Sequence, residues 1–171
     1  MHLTEDDFGS TYGNLNAWDI RLAIPIQAGM EAVLNAAWAH GHGDPYYNLR
    51  GFNADDGAES PAELTMVPLE FGILFHDRSC ARHRVNVGLL FQEIWAREKI
   101  YQGPQTPESF SGWGWGGRFL IGPEWFLGGS RYSLGFDLSM TVSSVDVRAG
   151  NQVRTVHPTG PELHVYAARR F

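Results

Sequence analysis

Residues 132–144, YSLGFDLSMTVSS, alternate almost without error: Tyr132, Leu134, Phe136, Leu138, Met140 and Val142 on one side, Ser133, Gly135, Asp137, Ser139, Thr141 and Ser143 on the other. Successive side chains of an extended strand point to opposite sides of its sheet, so this period predicts a strand whose two faces meet different surroundings. The same pattern recurs in AWDIRLAIPI (17–26), AGMEAVLNAAWA (28–39), ELTMVPLEFGILF (63–75), RVNVGLLFQEIW (84–95), GWGWGGRFLIGPEW (112–125) and PELHVYAARRF (161–171). That makes seven strands. Period two alone does not say which face is inside. A soluble sandwich or carrier turns its apolar face inward, whereas a membrane barrel turns it outward to lipid around a polar lumen.

The connections help to decide. They alternate short and long: near Gln27, then 41–61, 76–83, 97–111, 127–131 and 144–159. Short turns on one side and longer loops on the other are the rhythm of an outer-membrane barrel, with the long loops extracellular. Aromatic positions point the same way. With the C-terminus at the periplasmic side, Trp18, Trp38, Trp95, Trp113 and Trp115 fall near the outer ends of their strands, and Trp125, Tyr132, Phe75 and Phe171 near the inner ends, all on the apolar face. Two aromatic girdles flanking an aliphatic band suit a bilayer, because amphipathic rings settle at the headgroup level.

The opposite face carries Asp19, Arg21, Glu31, Glu70, Arg84, Arg118, Glu124, Asp137, Glu162, His164 and Arg170, interspersed with glycines and serines. Mixed charges and small residues fit a narrow lumen in which side chains fill the interior and pair with one another. Glu93 and Arg169 fall on the apolar side, but near strand ends, where a charge costs roughly 0–1 kcal/mol instead of the 2–4 kcal/mol of the midplane. Pro68 lacks a ladder donor within its strand, which predicts a bulge there.

Composition narrows the partners. The 171 residues are 43% hydrophobic and 19% charged, with net charge −6, and no basic run offers itself to nucleic acid. Cys80 is the one cysteine, which excludes an intrachain disulfide framework. No apolar stretch approaches the roughly 18 residues of a spanning helix, although strands need only about 9–11, half of them apolar. The polar start MHLTEDDFGSTYGNLN lacks the basic and apolar regions of a secretory signal.

Strand parity adds an expectation. Counted back from a periplasmic C-terminus, the first visible strand runs inward, so residues 1–16 form an extracellular loop. Single-chain bacterial barrels have an even strand number, so one further strand is expected ahead of residue 1, with residues 17–171 the rest of the barrel. The fold class expected is therefore all-β, an antiparallel up-and-down transmembrane β-barrel of eight strands with seven visible.

The terminal ELHVYAARRF, with final Phe171 and alternate apolar Val165 and Leu163, together with the strand and loop rhythm, resembles the small bacterial outer-membrane β-barrel proteins, the OmpA membrane-domain and OmpX-like class. Arg169 stands where that signature usually has an apolar or aromatic residue. The resemblance implies recognition of the last strand by the barrel-assembly machinery, and surroundings of outer-membrane lipid and lipopolysaccharide. It brings no catalytic residues.

A search for chemistry finds little to add. A lipid hydrolase needs a serine beside a histidine oriented by a carboxylate, and no histidine here has a serine two residues away on a strand. HGHGD (40–44) holds two histidines without further ligands at metal spacing. Asp44, Asp55, Asp56 and Glu59 lack the ordered spacing of a calcium loop. The expectation is a non-enzymatic envelope protein without cofactor or metal, acting in envelope integrity or surface-loop binding. A small pore, a lipid-modifying enzyme and a soluble lipocalin-like carrier are the alternatives.

Overall fold

The computed structural model describes residues 15–43, 62–77, 82–101, 108–127, 131–149 and 152–169. The expectations attached to residues 1–14, Cys80, Arg170 and Phe171 lie outside them. All described elements are strands: β1 (Asn16–Gln27), β2 (Met30–Gly43), β3 (Ala62–His76), β4 (His83–Ile100), β5 (Glu108–Phe126), β6 (Tyr132–Ala149), β7 (Gln152–Val156) and β8 (Gly160–Arg169). They form one antiparallel, up-and-down sheet in the order β1 to β7, with β8 also on β6.

The last two strands are one strand in two pieces. β7 pairs with Val145–Ala149 of β6, and β8 with Tyr132–Thr141 of the same strand. Pro158 sits in the break, where it has no N–H to donate. Its carbonyl instead accepts a bond from the Ser143 hydroxyl at 2.6 Å, which ties the break to β6.

At the other end of the chain, β1 turns into β2 through Ala28 and Gly29, and Gly29 has φ of +80°, a conformation a hairpin demands and glycine adopts without strain. Close approach also shapes the sheet between β5 and β6. A Cβ on Gly114 or Gly122 would overlap the carbonyl oxygen of Ser144 or Phe136 respectively, so these inward glycines let two neighbouring strands bend tightly together.

The two faces settle the question raised by the alternation. Asp137 is 0% exposed while its neighbour Leu138 is 54% exposed, and the relation repeats along the sheet. Glu31, Glu70, Arg84, Arg118 and Glu124 are buried; Leu34, Phe71, Leu89, Phe119 and Leu134 are exposed. Cross-sheet contacts close over the polar face: Arg21 of β1 reaches Asp137 of β6, and Asn86 of β4 reaches Tyr166 of β8. The sheet is therefore curled around its charged side.

Near the outer end this relation reverses. Trp18 lies opposite Trp38 and Trp95 opposite Trp113, and beyond this row the strands continue without losing their period. There the outward side chains are Glu63, Arg97, Lys99, Ser109, Asp146 and Arg148, and the inward ones include Leu64, Ala96, Ile100, Phe110, Val145 and Val147, which with Ile94 at the tryptophan level belong to one packed apolar cluster. One sheet thus has an inside-out section and, past the tryptophans, a section with the ordinary arrangement of a protein in water.

Several expectations are corrected. The connections expected at 97–111 and 144–159 are shorter, because β4 runs to Ile100, β5 starts at Glu108, β6 runs to Ala149 and β7 occupies Gln152–Val156. Glu93 is consequently well inside β4, although it lies opposite Trp115, at the tryptophan level. Pro68 makes no bulge. Its pairing with Ile94 is in step, and the β2–β3 register is the same on both sides of it; only the rungs at Val67 and Pro68 facing β2 are missing. The sheet is also not closed, since β1 and β8 are edges with no pairing between them among the described residues.

Candidate functional site

The enclosed polar face is the densest collection of chemistry in the molecule. Toward the inner end, Arg84 forks between two carboxylates: its Nη1 and Nη2 donate to Glu31 at 2.7 and 3.1 Å, and its Nε donates to Glu124 at 2.7 Å. Asn86 and Ser133 also donate to Glu124, leaving neither of its oxygens bare. A guanidinium matches two carboxylates in this way because its five N–H groups are fixed in one plane.

Higher up, Val33, Leu74, Leu90 and Leu120 form a small apolar layer. Near it, Arg118 Nη1 donates to both oxygens of Glu70, at 3.0 and 3.1 Å, while Asn35 donates to Glu70 at 2.7 Å. Arg21 donates to Asp137 at 2.7 Å and lies over the Tyr166 ring, 5.3 Å from its centroid. Tyr166 has room because the residue across from it is Gly135, whose Cβ would strike the ring.

The remaining charges meet at the unpaired edges. His164 of β8 stands between Glu162, 3.0 Å from its Nε2, and Asp19 of β1, 3.8 Å from its Nδ1. Glu162 also accepts from Thr141 at 2.7 Å and from Ser139 at 3.4 Å, and lies 3.8 Å from Arg118. The serine here thus serves a carboxylate.

Every lumen residue expected from the sequence and described in the structure lies on this face, and the structure joins them into ion pairs: Asp19, Arg21, Glu31, Glu70, Arg84, Arg118, Glu124, Asp137, Glu162 and His164. Arg170 is outside the described residues. Of the aromatic set, Trp18, Trp38, Trp113, Trp115, Trp125 and Tyr132 are exposed on the apolar face, and Trp95 is half-buried there. His40 and His42 lie on the same side of β2 just beyond Trp38, His40 stacked on the Trp38 ring and His42 edge-on to His40, and no group of three or more metal-ligating side chains occurs among the described residues.

Sequence reading missed Glu98, which falls in a stretch taken for a loop. It is 1% exposed, beyond the tryptophan row, opposite Leu64 on one side and Phe110 on the other. Burial in this apolar cluster pushes its carboxyl up to about 7. The folded protein keeps a proton that the unfolded chain releases near the ordinary 4.5, so stability is greatest below that pH and declines as pH rises through about 7. The difference amounts to about 3 kcal/mol. Urea titrations at pH 4.5 and 8 are expected to show this loss in the native protein and its absence in Glu98→Gln; an equal loss in both would remove Glu98 as its source.

Comparison with known proteins finds no matching family model, no matching curated protein and no matching solved structure.

Proposed function

We propose that this chain forms most of a small outer-membrane β-barrel, a non-enzymatic envelope protein whose outer ends and loops stand in the medium outside the bilayer. One observation carries the reading: the reversal of sidedness at the tryptophan row. A soluble protein has no use for an apolar outer belt that stops at a line of indoles, whereas a bilayer demands both the belt and the line. Outward apolar runs such as Trp18–Ile26, Val67–Phe75 and Tyr132–Val142 have about the 9–11 residues a tilted strand needs to cross. A carrier fold would need the opposite arrangement in this section.

Closure then takes one more strand. β1 and β8 both run from the outer to the inner end, so the two edges are parallel to each other, and a single strand running outward between them is antiparallel to both. This is the eighth strand expected on parity. Paired charges and two apolar layers fill the interior, which supports a sealed barrel over a pore. The terminal strand is the element offered to the assembly machinery.

The protein is expected to run on a gel as a compact, heat-modifiable band only when folded in detergent or lipid, and to give no conductance steps in a planar bilayer. Lipid A from cells with and without it is expected to have the same mass spectrum. A species that stays in the aqueous phase without detergent would overturn the reading, stepwise conductance would replace the sealed barrel with a pore, and an altered lipid A would replace it with an enzyme.

A further inference from the structure

One rung of the sheet, just beyond the tryptophans, carries a line of hydrogen-bond donors. His40 of β2 pairs with Thr65 of β3, Thr65 with Arg97 of β4, Arg97 with Ser111 of β5, and Ser111 with Arg148 of β6. Arg97, Ser111 and Arg148 are exposed there. Two residues away on the same face, Trp95 neighbours Arg97 and Trp113 neighbours Ser111, and these two indoles pair with each other across β4 and β5. Neighbouring strands lie about 4.8 Å apart, so the two arginines stand about 10 Å apart at the backbone with the serine between them.

Neither guanidinium is neutralised. Among the described residues, Arg148 has no ion pair, and Arg97 makes one side-chain bond, from its Nε to the Ser109 hydroxyl at 3.0 Å, which leaves its two terminal nitrogens unused. The carboxylates of this face are engaged or set apart. Asp146, two residues from Arg148, accepts from the Thr155 hydroxyl at 2.7 Å, and Glu63 lies 3.8 Å from Lys99. Glu93 has Trp95 between it and Arg97 along the strand.

We propose that Arg97, Ser111 and Arg148 form a seat for the phosphomonoester headgroup of a membrane lipid, whose acyl chains run down the apolar belt below Trp95 and Trp113. The inference rests on the barrel reading above and adds the ligand that its outer rim takes. A phosphomonoester carries close to two negative charges and three strong acceptor oxygens. Two guanidiniums and a hydroxyl match it in both charge and donors, because each guanidinium can fork onto a pair of oxygens. The tryptophan row places these donors at the headgroup level, where arginine can lay its stem on indole and keep its charge among the phosphates. A phosphate bound there without acyl chains would leave the belt below it unused.

The test reconstitutes residues 1–171 in phosphatidylcholine vesicles holding a trace of chain-spin-labelled phosphatidic acid or chain-spin-labelled phosphatidylcholine, and reads the motionally restricted part of each spectrum. Phosphatidic acid is expected to associate about tenfold more strongly than phosphatidylcholine. Arg97→Gln with Arg148→Gln is expected to abolish that preference while the restricted phosphatidylcholine component persists, and Lys99→Gln, one rung further out, is expected to keep it. An excess of inorganic phosphate is expected to leave the preference in place. Equal association of the two lipids with the native protein, or a preference that survives the double substitution, would overturn the site; loss of the preference in Lys99→Gln would replace it with general surface charge, and displacement by inorganic phosphate with a site for the free anion. Absence of a restricted component for either lipid would overturn the barrel reading itself, and the proposal with it.

Discussion

Replacing Arg118 with leucine is expected to lower the unfolding free energy of the detergent-folded protein by about 3–5 kcal/mol. Arg118 is 3% exposed and holds both oxygens of Glu70, which has no access to water that would take over the role. Without the guanidinium, Glu70 keeps only the amide of Asn35 among its side-chain partners described above, and Glu162 loses its nearest arginine. An enclosed carboxylate then has to be desolvated without compensation or protonated. Substituting leucine at both positions, Glu70 and Arg118, is expected to recover most of the loss, since an apolar pair leaves no orphaned charge. The outer pair Lys99–Glu63, 3.8 Å apart with side chains 37% and 30% exposed, is the contrast: breaking it is expected to change stability by about 0–1 kcal/mol. Urea titration checks all three. An Arg118 variant as stable as the native protein would mean that the network is solvated.

Arginine in place of Leu138 is expected to cost about 2–4 kcal/mol in lipid vesicles. Leu138 lies opposite Ile121 on one strand and Leu163 on the other, at the middle of the outward apolar belt and away from both aromatic rims. The same change at Ser144, one position beyond Val142 on the same face, is expected to cost about 0–1 kcal/mol, because that site lies past the belt. The contrast carries the weight. On a soluble protein an exposed leucine tolerates arginine, so a depth-dependent penalty appears only where acyl chains are the solvent. Equilibrium unfolding from vesicles measures both variants; equal costs at the two positions would remove the bilayer from the account.

Strand existence and facing were legible because period two leaves no freedom: once Leu134, Phe136 and Leu138 share a side, Asp137 and Ser139 share the other. The extent of the strands was not. Beyond Trp95 the apolar positions pass from the outward set to Ala96 and Ile100, and beyond Val142 to Val145 and Val147. A reading that ends a strand where its outward face turns polar therefore stops too soon. Glu98 was lost in the same way. Pro68 looked like a defect in the strand, yet a missing donor disturbs only the ladder toward which its nitrogen points. Lumen membership followed from alternation, but the pairing did not, because Arg84–Glu31 and Arg21–Asp137 join strands that are not neighbours in the sheet. Asn35, Asn86, Ser133 and Thr141 carry no charge to draw notice, and only the folded positions that bring them within hydrogen-bond reach of Glu70, Glu124 and Glu162 reveal them.

The sidedness of the sheet has a direct readout. Spin labels placed singly at Leu134, Leu138, Val142, Ser144, Asp146 and Arg148, with Cys80 replaced by serine, report collision with oxygen, which concentrates in acyl chains, and with a water-soluble nickel chelate. In vesicles, the account predicts oxygen-dominated relaxation from Leu134 to Val142 and a switch to nickel from Ser144 onward. Nickel access along the whole series, with no switch at the tryptophan level, would contradict it.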